Sequence, residues 1–281
     1  MTKQLPLFKD KTILPNGKYH ISFSELNDWV ECSYRHKLKH VQKINLDGGS
    51  IHTAFGKAIH NAVEVYITTR VMPTNKSVVK EFHSMVQELD EGTRKEAALK
   101  DQTKFDGYIE HMLKNVPAWL DAQFPGWTIV DAEHFLFESI KNQPNVSFKG
   151  FIDAVIKVPK KNGKGSYYVI IDWKTASWGW KSDQKRDPKK QMQLVLYKHY
   201  FCEKMGIDIK DAKCGFVLIK KTPKDKDDAI ELVPVSVGPV AIEKALKKVN
   251  LVINSMRKGL ATKNRFSCRP FCVYYRTKHC L

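Results

Sequence analysis

The chain has 281 residues, 42% of them apolar and 27% charged, with a formal net charge of +17 from 47 Lys and Arg against 30 Asp and Glu. That composition predicts a soluble globular protein with a sizeable core and leaves no apolar run near the ~20 residues a membrane-spanning helix needs. The lysines, among them Lys157, Lys160, Lys161, Lys164, Lys181, Lys185, Lys189 and Lys190, favour a polyanionic partner, most simply nucleic acid; a Lys-rich solvated surface is the plainer reading of the same charge. The opening MTKQLPLFKDKTILPNGKYH lacks an apolar stretch of the secretory kind, so a reducing cytoplasm is the expected compartment.

In chain order, ISFSELNDWVECSYRHKLKHV starts with serines ahead of an acidic turn and repeats Leu26, Trp29, Val30 and Leu38 at helical spacing, which predicts one helix. A Gly-Gly turn at 48–49 precedes a second helix, HTAFGKAIHNAVEVYITTRV, with Ala54, Ala58, Ala62 and Val65 on one stripe. Residues 76–123 read as more polar helix, so 71–125 is expected to form a helical insert or subdomain. The period then changes. WTIVDAEHFLFESI, VSFKGFIDAVIKV and SYYVIIDWKT are strands. PKKQMQLVLYKHYFCEKMG is a helix started near Pro188 and stopped at Gly206. AKCGFVLIKKT and AIELVPVSV are two more strands, and PVAIEKALKKVNLVINSMRKG is a long amphipathic helix. The order predicts a single α/β domain over 1–281, a mixed central sheet flanked by helices with a helical N-terminal region.

The run Val169-Ile170-Ile171-Asp172-Trp173-Lys174-Thr175 is strand-like but carries two charges. Alternation sends Asp172 and Lys174 to one face and Ile171 and Trp173 to the other. Asp153, three residues after Gly150, lies in the preceding strand. If the two strands pair, two carboxylates meet at one sheet end, and a divalent cation held by oxygen ligands would neutralise them. Lys174 would then stabilise charge on a phosphate or orient a water. An ion pair at the end of a strand accounts for the same two residues. Gln193 and Tyr197, four apart, share a face of the following helix; Gln191 is a rival to Gln193 without a Tyr at that spacing. Glu133, on the first strand, reads as a structural or solvated carboxylate with a lesser claim on a second metal.

In order, Gly56 to His60 (G-x-x-x-H), Gly150 to Asp153 (G-x-x-D), Asp172 to Lys174 (D-x-K) and Gln193 to Tyr197 (Q-x-x-x-Y) resemble the motifs of the RecB-like branch of the PD-(D/E)xK nucleases, which includes the AddB nuclease domain and the CRISPR-associated RecB-like exonucleases. The resemblance implies a restriction-endonuclease-like core. It implies His60, Asp153, Asp172 and the backbone carbonyl of Trp173 as ligands of Mg²⁺ or Mn²⁺, and Lys174 acting on water and phosphate. Gln193 and Tyr197 would position DNA or support the metal site, and Gly56 would let the His60 helix come close to its neighbours.

Three of the six cysteines, Cys268, Cys272 and Cys280, fall in the last fourteen residues; Cys202 and Cys214 read as packed thiols. With Cys32 the three resemble the ligands of an iron-sulfur subgroup of the same branch. ECSYRHKLKHV also resembles that subgroup's N-terminal helix, with Ser33 where a proline is usual. The resemblance implies a 4Fe–4S cluster closed by the tail 262–281. Because three and seven residues separate the tail cysteines, more than in the family, a structural Cys₄ zinc site is the rival. The function implied is a metal-dependent DNA exonuclease on DNA ends, single-stranded preferred, with a possible helicase or recombination partner. The alternative is a DNA-end-binding or partner-binding module that kept the fold without catalysis. Trp178 and Trp180 could stack bases or simply pack.

Overall fold

In the computed structural model, residues 13–98, 102–225, 227–268 and 272–281 are described; parts of the predicted helical stretch (99–101) and of the cysteine tail (269–271) lie outside them. The chain divides into two compact units. One consists of the segment ending at Asp47 with Phe135–Gly150 and Pro239–Leu281, the other of Gly48–His134 and Phe151–Gly238.

In the first unit, β1 (His20–Ser22) passes directly into α1 (Phe23–Glu31). Ser22 caps the helix, its hydroxyl accepting the Glu25 N–H at 3.2 Å, as the serine signal predicts. The single helix expected over this stretch is interrupted. Cys32 is extended at φ −158°, and α2 (Ser33–His36) starts after it, continuing as a π-turn over Lys37–Val41. The break follows from the thiol, whose Sγ accepts the N–H of Arg35 and that of Asn264, each at 3.4 Å. Helical periodicity does not register a cysteine acting as an N-cap inside an apolar repeat.

Around this break lies a dense set of ion pairs. Asp28 meets His40 at 2.8 Å, Arg35 at 2.9 Å and Lys39 at 3.1 Å; Glu25 meets His36 at 3.0 Å. Burial pushes the Asp28 carboxyl up, but the His40 hydrogen bond and the Lys39 and Arg35 charges outweigh it and hold the group at about 2. A carboxyl depressed in the folded state stabilises the fold above its unfolded value, and that contribution is lost as pH falls through the folded one. Asp28→Asn is therefore expected to cost ~1 kcal/mol near pH 6, after allowance for solvent screening. The melting curves of variant and wild type should converge as pH drops from about 4 toward 2; a constant gap across that range would refute the assignment. In the same unit α9 (Pro239–Arg257) is fastened to the 140–146 turn through buried Gln143. Its amide donates to Asn250 at 2.7 Å and Asn254 at 3.1 Å, and its carbonyl accepts from Arg257 at 2.7 Å.

The second unit starts with α3 (Ile51–Thr69), entered through a Ser50–Thr53 capping box and ended by Arg70 in the left-handed conformation, φ 62°. Ala54, Ala58 and Ala62 face the core as predicted, but Val65 is exposed and Tyr66 takes its place. A step of four residues overshoots a full turn by about 40°, so the buried stripe drifts around the helix. Helices α4 (Asn75–Gln87), α5 (Glu91–Ala98) and α6 (Gln102–Gln123) follow. Phe55, Phe82 and Phe105 form an aromatic trio with centroids 5.3–5.8 Å apart, tying α3, α4 and α6 together. Next come β2 (Thr128–Ser139), β3 (Ser147–Pro159), β4 (Ser166–Ala176), α7 (Ser182–Lys185), α8 (Pro188–Met205), β5 (Ala212–Lys220) and β6 (Ile230–Pro234). Asp187 caps α8, Pro188 opens it and Gly206 closes it at φ 63°.

The strands form one mixed sheet in the order β1-β3-β4-β5-β6, with β2 paired to β3. β3 and β4 are antiparallel, with Ala154 opposite Ile171; β4 and β5 are parallel, with Ile171 opposite Gly215. Residues 169–173 of β4 and 214–220 of β5 are buried on both faces, which is why they are mostly apolar, with Asp172 and Lys220 as the buried charges. The mixed sheet flanked by helices is the predicted fold class. Among the described residues no helix is long and apolar enough to cross a membrane.

Candidate active site

One step beyond the Ala154–Ile171 pair, the antiparallel register sets Asp153 opposite Asp172. The Trp173 N–H donates to Asp153 Oδ2 at 2.7 Å. Lys174 Nζ lies against Asp172 Oδ2, as the alternation along β4 requires. The Asp172 side chain is 1% exposed and that of Lys174 37%. Among the described residues Asp172 Oδ2 has the Lys174 ammonium as its partner and no further hydrogen bond. Burial, and next the charge of Asp172, push the Asp153 carboxyl well above the usual carboxylate range; Lys174 and the Trp173 N–H only partly oppose them. Asp153 has the Trp173 N–H and Asp172 the Lys174 ammonium as partners, and oxygen donors of this kind are those a hard divalent cation takes.

His60 reaches this point from α3. Its Nε2 donates to the Trp173 carbonyl at 2.7 Å and sits 3.7 Å from Asp153 Oδ2. Burial, and then the Lys174 charge, hold the imidazole below its ordinary value. One turn earlier, a Cβ on Gly56 would fall 3.3 Å from Thr175 Oγ1, so the glycine lets α3 run close along β4. Among the described residues, one group of three or more His, Cys, Asp or Glu side chains brings ligand atoms within 4.8 Å of one another: His60, Asp153 and Glu133. Asp172, turned to Lys174, is outside that group.

Glu133, read from the sequence as a structural or solvated carboxylate with a lesser claim on a metal, lies beside His60 and Asp153. Its backbone has φ +50°, and it is the one non-glycine residue of positive φ inside a strand among the described residues. Such a conformation disturbs the side-chain alternation of a strand and re-aims the residue. Burial, then the charges of Glu64 and Asp172, raise its carboxyl. The available signal was its place on the strand preceding Asp153; the kink left no trace in the residue pattern.

Gln193 Nε2 lies 3.4 Å from the Tyr197 hydroxyl. Tyr197 is buried, and burial first, then Asp172 and Asp153, push its phenol up to about 12, so it shares the field of the carboxylates. The rival Gln191 instead donates to the Lys185 carbonyl at 2.8 Å, a structural task. On the other flank Lys174 Nζ sits 5.8 Å over the Phe216 ring, Trp180 packs against Phe216 at 5.2 Å, and Lys190 lies 4.5 Å over Trp180. Trp180 is thus packed, whereas Trp178 is 69% exposed. Between them, a Cβ on Gly179 would fall 2.7 Å from Glu231 Oε2, so the loop lies directly on the Lys220–Glu231 ion pair, 3.2 Å long.

The four cysteines of the predicted second centre all belong to the first unit. Cys32, Cys268 and Cys280 are buried and Cys272 is half-buried. Asn264 joins two of them, its N–H donating to Cys32 and its carbonyl accepting from Cys268 Sγ at 3.6 Å. Cys280 and Cys272 pack with Leu38, Tyr274, Tyr34 and Ile44. Burial raises the Cys280 thiol, and the charges of Cys268 and Cys272 act on it in the same direction. Backbone bonds from Tyr34 to Thr262 (3.1 Å) and from the Tyr274 hydroxyl to Ile44 (2.6 Å) fasten the tail to the N-terminal helices. Cys202 and Cys214 are buried elsewhere, their thiols pushed up by burial to about 11 and about 12, as packed thiols are.

Among solved structures, the chain is similar to one titled "Crystal structure of SSO0001", at 12% identity and a TM-score of 0.40, over 92% of this chain and 84% of that one. No curated protein sequence matches it. The family model described as "PD-(D/E)XK nuclease superfamily" matches residues 20–277, a span that holds His60 on α3 and Glu133, Asp153, Asp172 and Lys174 on strands of the mixed sheet. With that match over most of its length, the chain belongs to the PD-(D/E)XK nuclease superfamily.

Proposed function

We propose that this chain is a divalent-metal-dependent DNA exonuclease of the RecB-like branch, acting on DNA ends and preferring single strands. The observation that carries the reading is the convergence of His60, Asp153 and Glu133 beside the Asp172–Lys174 pair in a member of a superfamily that typically hydrolyses phosphodiesters. His60, Asp153, Asp172 and the Trp173 carbonyl would hold Mg²⁺ or Mn²⁺, with Glu133 completing the site. The ion would supply Lewis acidity and a water of lowered pKa. Lys174, fixed by Asp172 and partly open to solvent, is placed to donate to a phosphate oxygen or to orient the attacking water. Tyr197, kept protonated far above neutral pH, remains a hydrogen-bond donor, with Gln193 holding its hydroxyl.

We assign Cys32, Cys268, Cys272 and Cys280 to a structural 4Fe–4S cluster in a reducing cytoplasm. Among the described residues no three of these thiols bring their sulfurs within 4.8 Å of one another, and a Cys₄ zinc site is the rival. Residues 71–125 would be a helical insert of a single nuclease domain, 262–281 the tail that closes the cluster, and a helicase or recombination factor the partner that delivers ends. The second reading, a non-catalytic end-binding module, is disfavoured because both aspartates and the lysine are present.

The test is degradation of end-labelled single- and double-stranded DNA with Mg²⁺, Mn²⁺ or EDTA. Metal-dependent shortening from the ends is expected; an intact label in every metal would leave the binding module. DNA affinity is expected to fall steeply between low and physiological salt, as several phosphates are neutralised. A flat salt response would exclude a DNA-backbone contact surface.

A further inference from the structure

Past Glu133 the strand β2 changes character. His134 and Leu136 turn inward, while Phe135 and Phe137 are 44% and 45% exposed. Two residues apart, they share one face of the strand, with ring centroids 6.1 Å apart and planes within 24° of parallel. His20 of β1 tilts against Phe137 at 5.8 Å, and its neighbour Tyr19 is 60% exposed. Lys18 and Lys149 flank this group: after burial, their charges are what hold the His20 imidazole below its ordinary value. Among the described residues β2 pairs with β3 alone, so it is an edge strand there. Exposed aromatics on such a strand invite aggregation unless they have a use.

We propose that Phe135, Phe137 and His20 form a stacking platform for the unpaired bases of a single DNA strand whose phosphates pass Lys18 and Lys149. Flat rings bordered by lysines are what sequence-tolerant single-strand binding requires: the rings take any base face and the ammonium groups follow the backbone. A protein partner would match the rings, but an anionic strand matches both the rings and the lysines, and the chain's net charge of +17 favours the anion. The platform lies in the same strand as Glu133, two residues on. Naming the ligand as the enzyme's own substrate rests on the nuclease reading above; the binding surface itself does not.

The full-length protein is titrated in EDTA, so that no cleavage occurs, against a fluorescent oligo-dT strand and a blunt duplex of equal length. Phe135→Ala/Phe137→Ala is expected to weaken oligo-dT binding about tenfold or more and to leave the duplex unaffected. Phe135→Tyr/Phe137→Tyr should keep the affinity within about twofold, since the ring is retained. Lys18→Ala/Lys149→Ala should lower the slope of affinity against salt by about two. Unchanged oligo-dT binding by a normally melting double-alanine variant, or an equal loss for duplex, overturns the platform. Photo-crosslinking of an iodouracil-substituted strand to the wild type gives a reading that needs no variant: crosslinks on the peptide bearing Phe135 and Phe137 support the proposal, and crosslinks confined to other peptides refute it. Binding at the platform in a protein that cuts no DNA with any metal would uphold this inference and reject the nuclease reading. Cleavage with no effect of the phenylalanines on binding would do the reverse.

Discussion

Asp172→Ala is expected to abolish metal-dependent cleavage, with a loss of about a thousandfold or more, because a metal's stabilisation of a phosphoryl transition state amounts to several kcal/mol. The fold should survive. Asp172 contributes to raising the Asp153 carboxyl. A carboxyl whose folded value is raised above its unfolded one detracts from stability once pH exceeds the unfolded value. Removing Asp172 relieves that repulsion at neutral pH, and Lys174, already 37% exposed, can turn to water. In EDTA the variant should therefore melt close to the wild type. On adding Mn²⁺ the wild type should gain stability by mass action and the variant should not. Retained activity in Asp172→Ala, or cleavage by the wild type in EDTA, would remove the proposed role. Lys174→Ala should show the complementary pattern, with Mn²⁺ stabilisation preserved and cleavage lost, because the ammonium acts on the phosphate or water and holds no ion.

Cys280→Ser is expected to release the proposed cluster and to lower stability by several kcal/mol, since the free energy of thiolate ligation is shared with folding. The effect should be felt at both ends of the first unit. Cys280 packs with Leu38 and Tyr274, and the tail is fastened to the helix break at Cys32 through Thr262 and Asn264. Iron and sulfide analysis of anaerobically purified protein, with melting curves, reads the outcome. Zinc without iron would replace the cluster by a Cys₄ zinc site and keep the four ligands. Neither metal in the wild type would withdraw the centre. Any fall in cleavage should track the loss of folded protein, because the residues proposed for cleavage belong to the second unit. A fully folded Cys280→Ser protein with no activity would instead give the cysteines a direct part in the reaction.

The sequence by itself determined the elements whose signals are local. Alternation along β4 set Asp172 and Lys174 on one face, and the two side chains are in contact. Serine caps, Pro188 and Gly206 marked helix ends where the chain turns. The apolar runs of β4 and β5 marked them as strands, and burial on both faces came from the fold. The four-residue spacing of Gln193 and Tyr197 sufficed to bring amide and hydroxyl together, while Gln191 turned to the backbone of α7.

Tertiary structure decided what depends on partners distant in sequence. The helix expected through Cys32 is interrupted there, with the Cys32 thiol capping α2 through the Arg35 N–H and also taking the N–H of Asn264, more than two hundred residues away. Val65 left the core and Tyr66 entered it because the buried positions keep a four-residue step, which turns the stripe around the helix. Glu133 lies beside His60 and Asp153 at a strand position whose backbone takes φ +50°. A backbone conformation of that kind costs free energy locally and persists only when the surrounding fold imposes it, so no pattern of neighbouring residue types could have disclosed it.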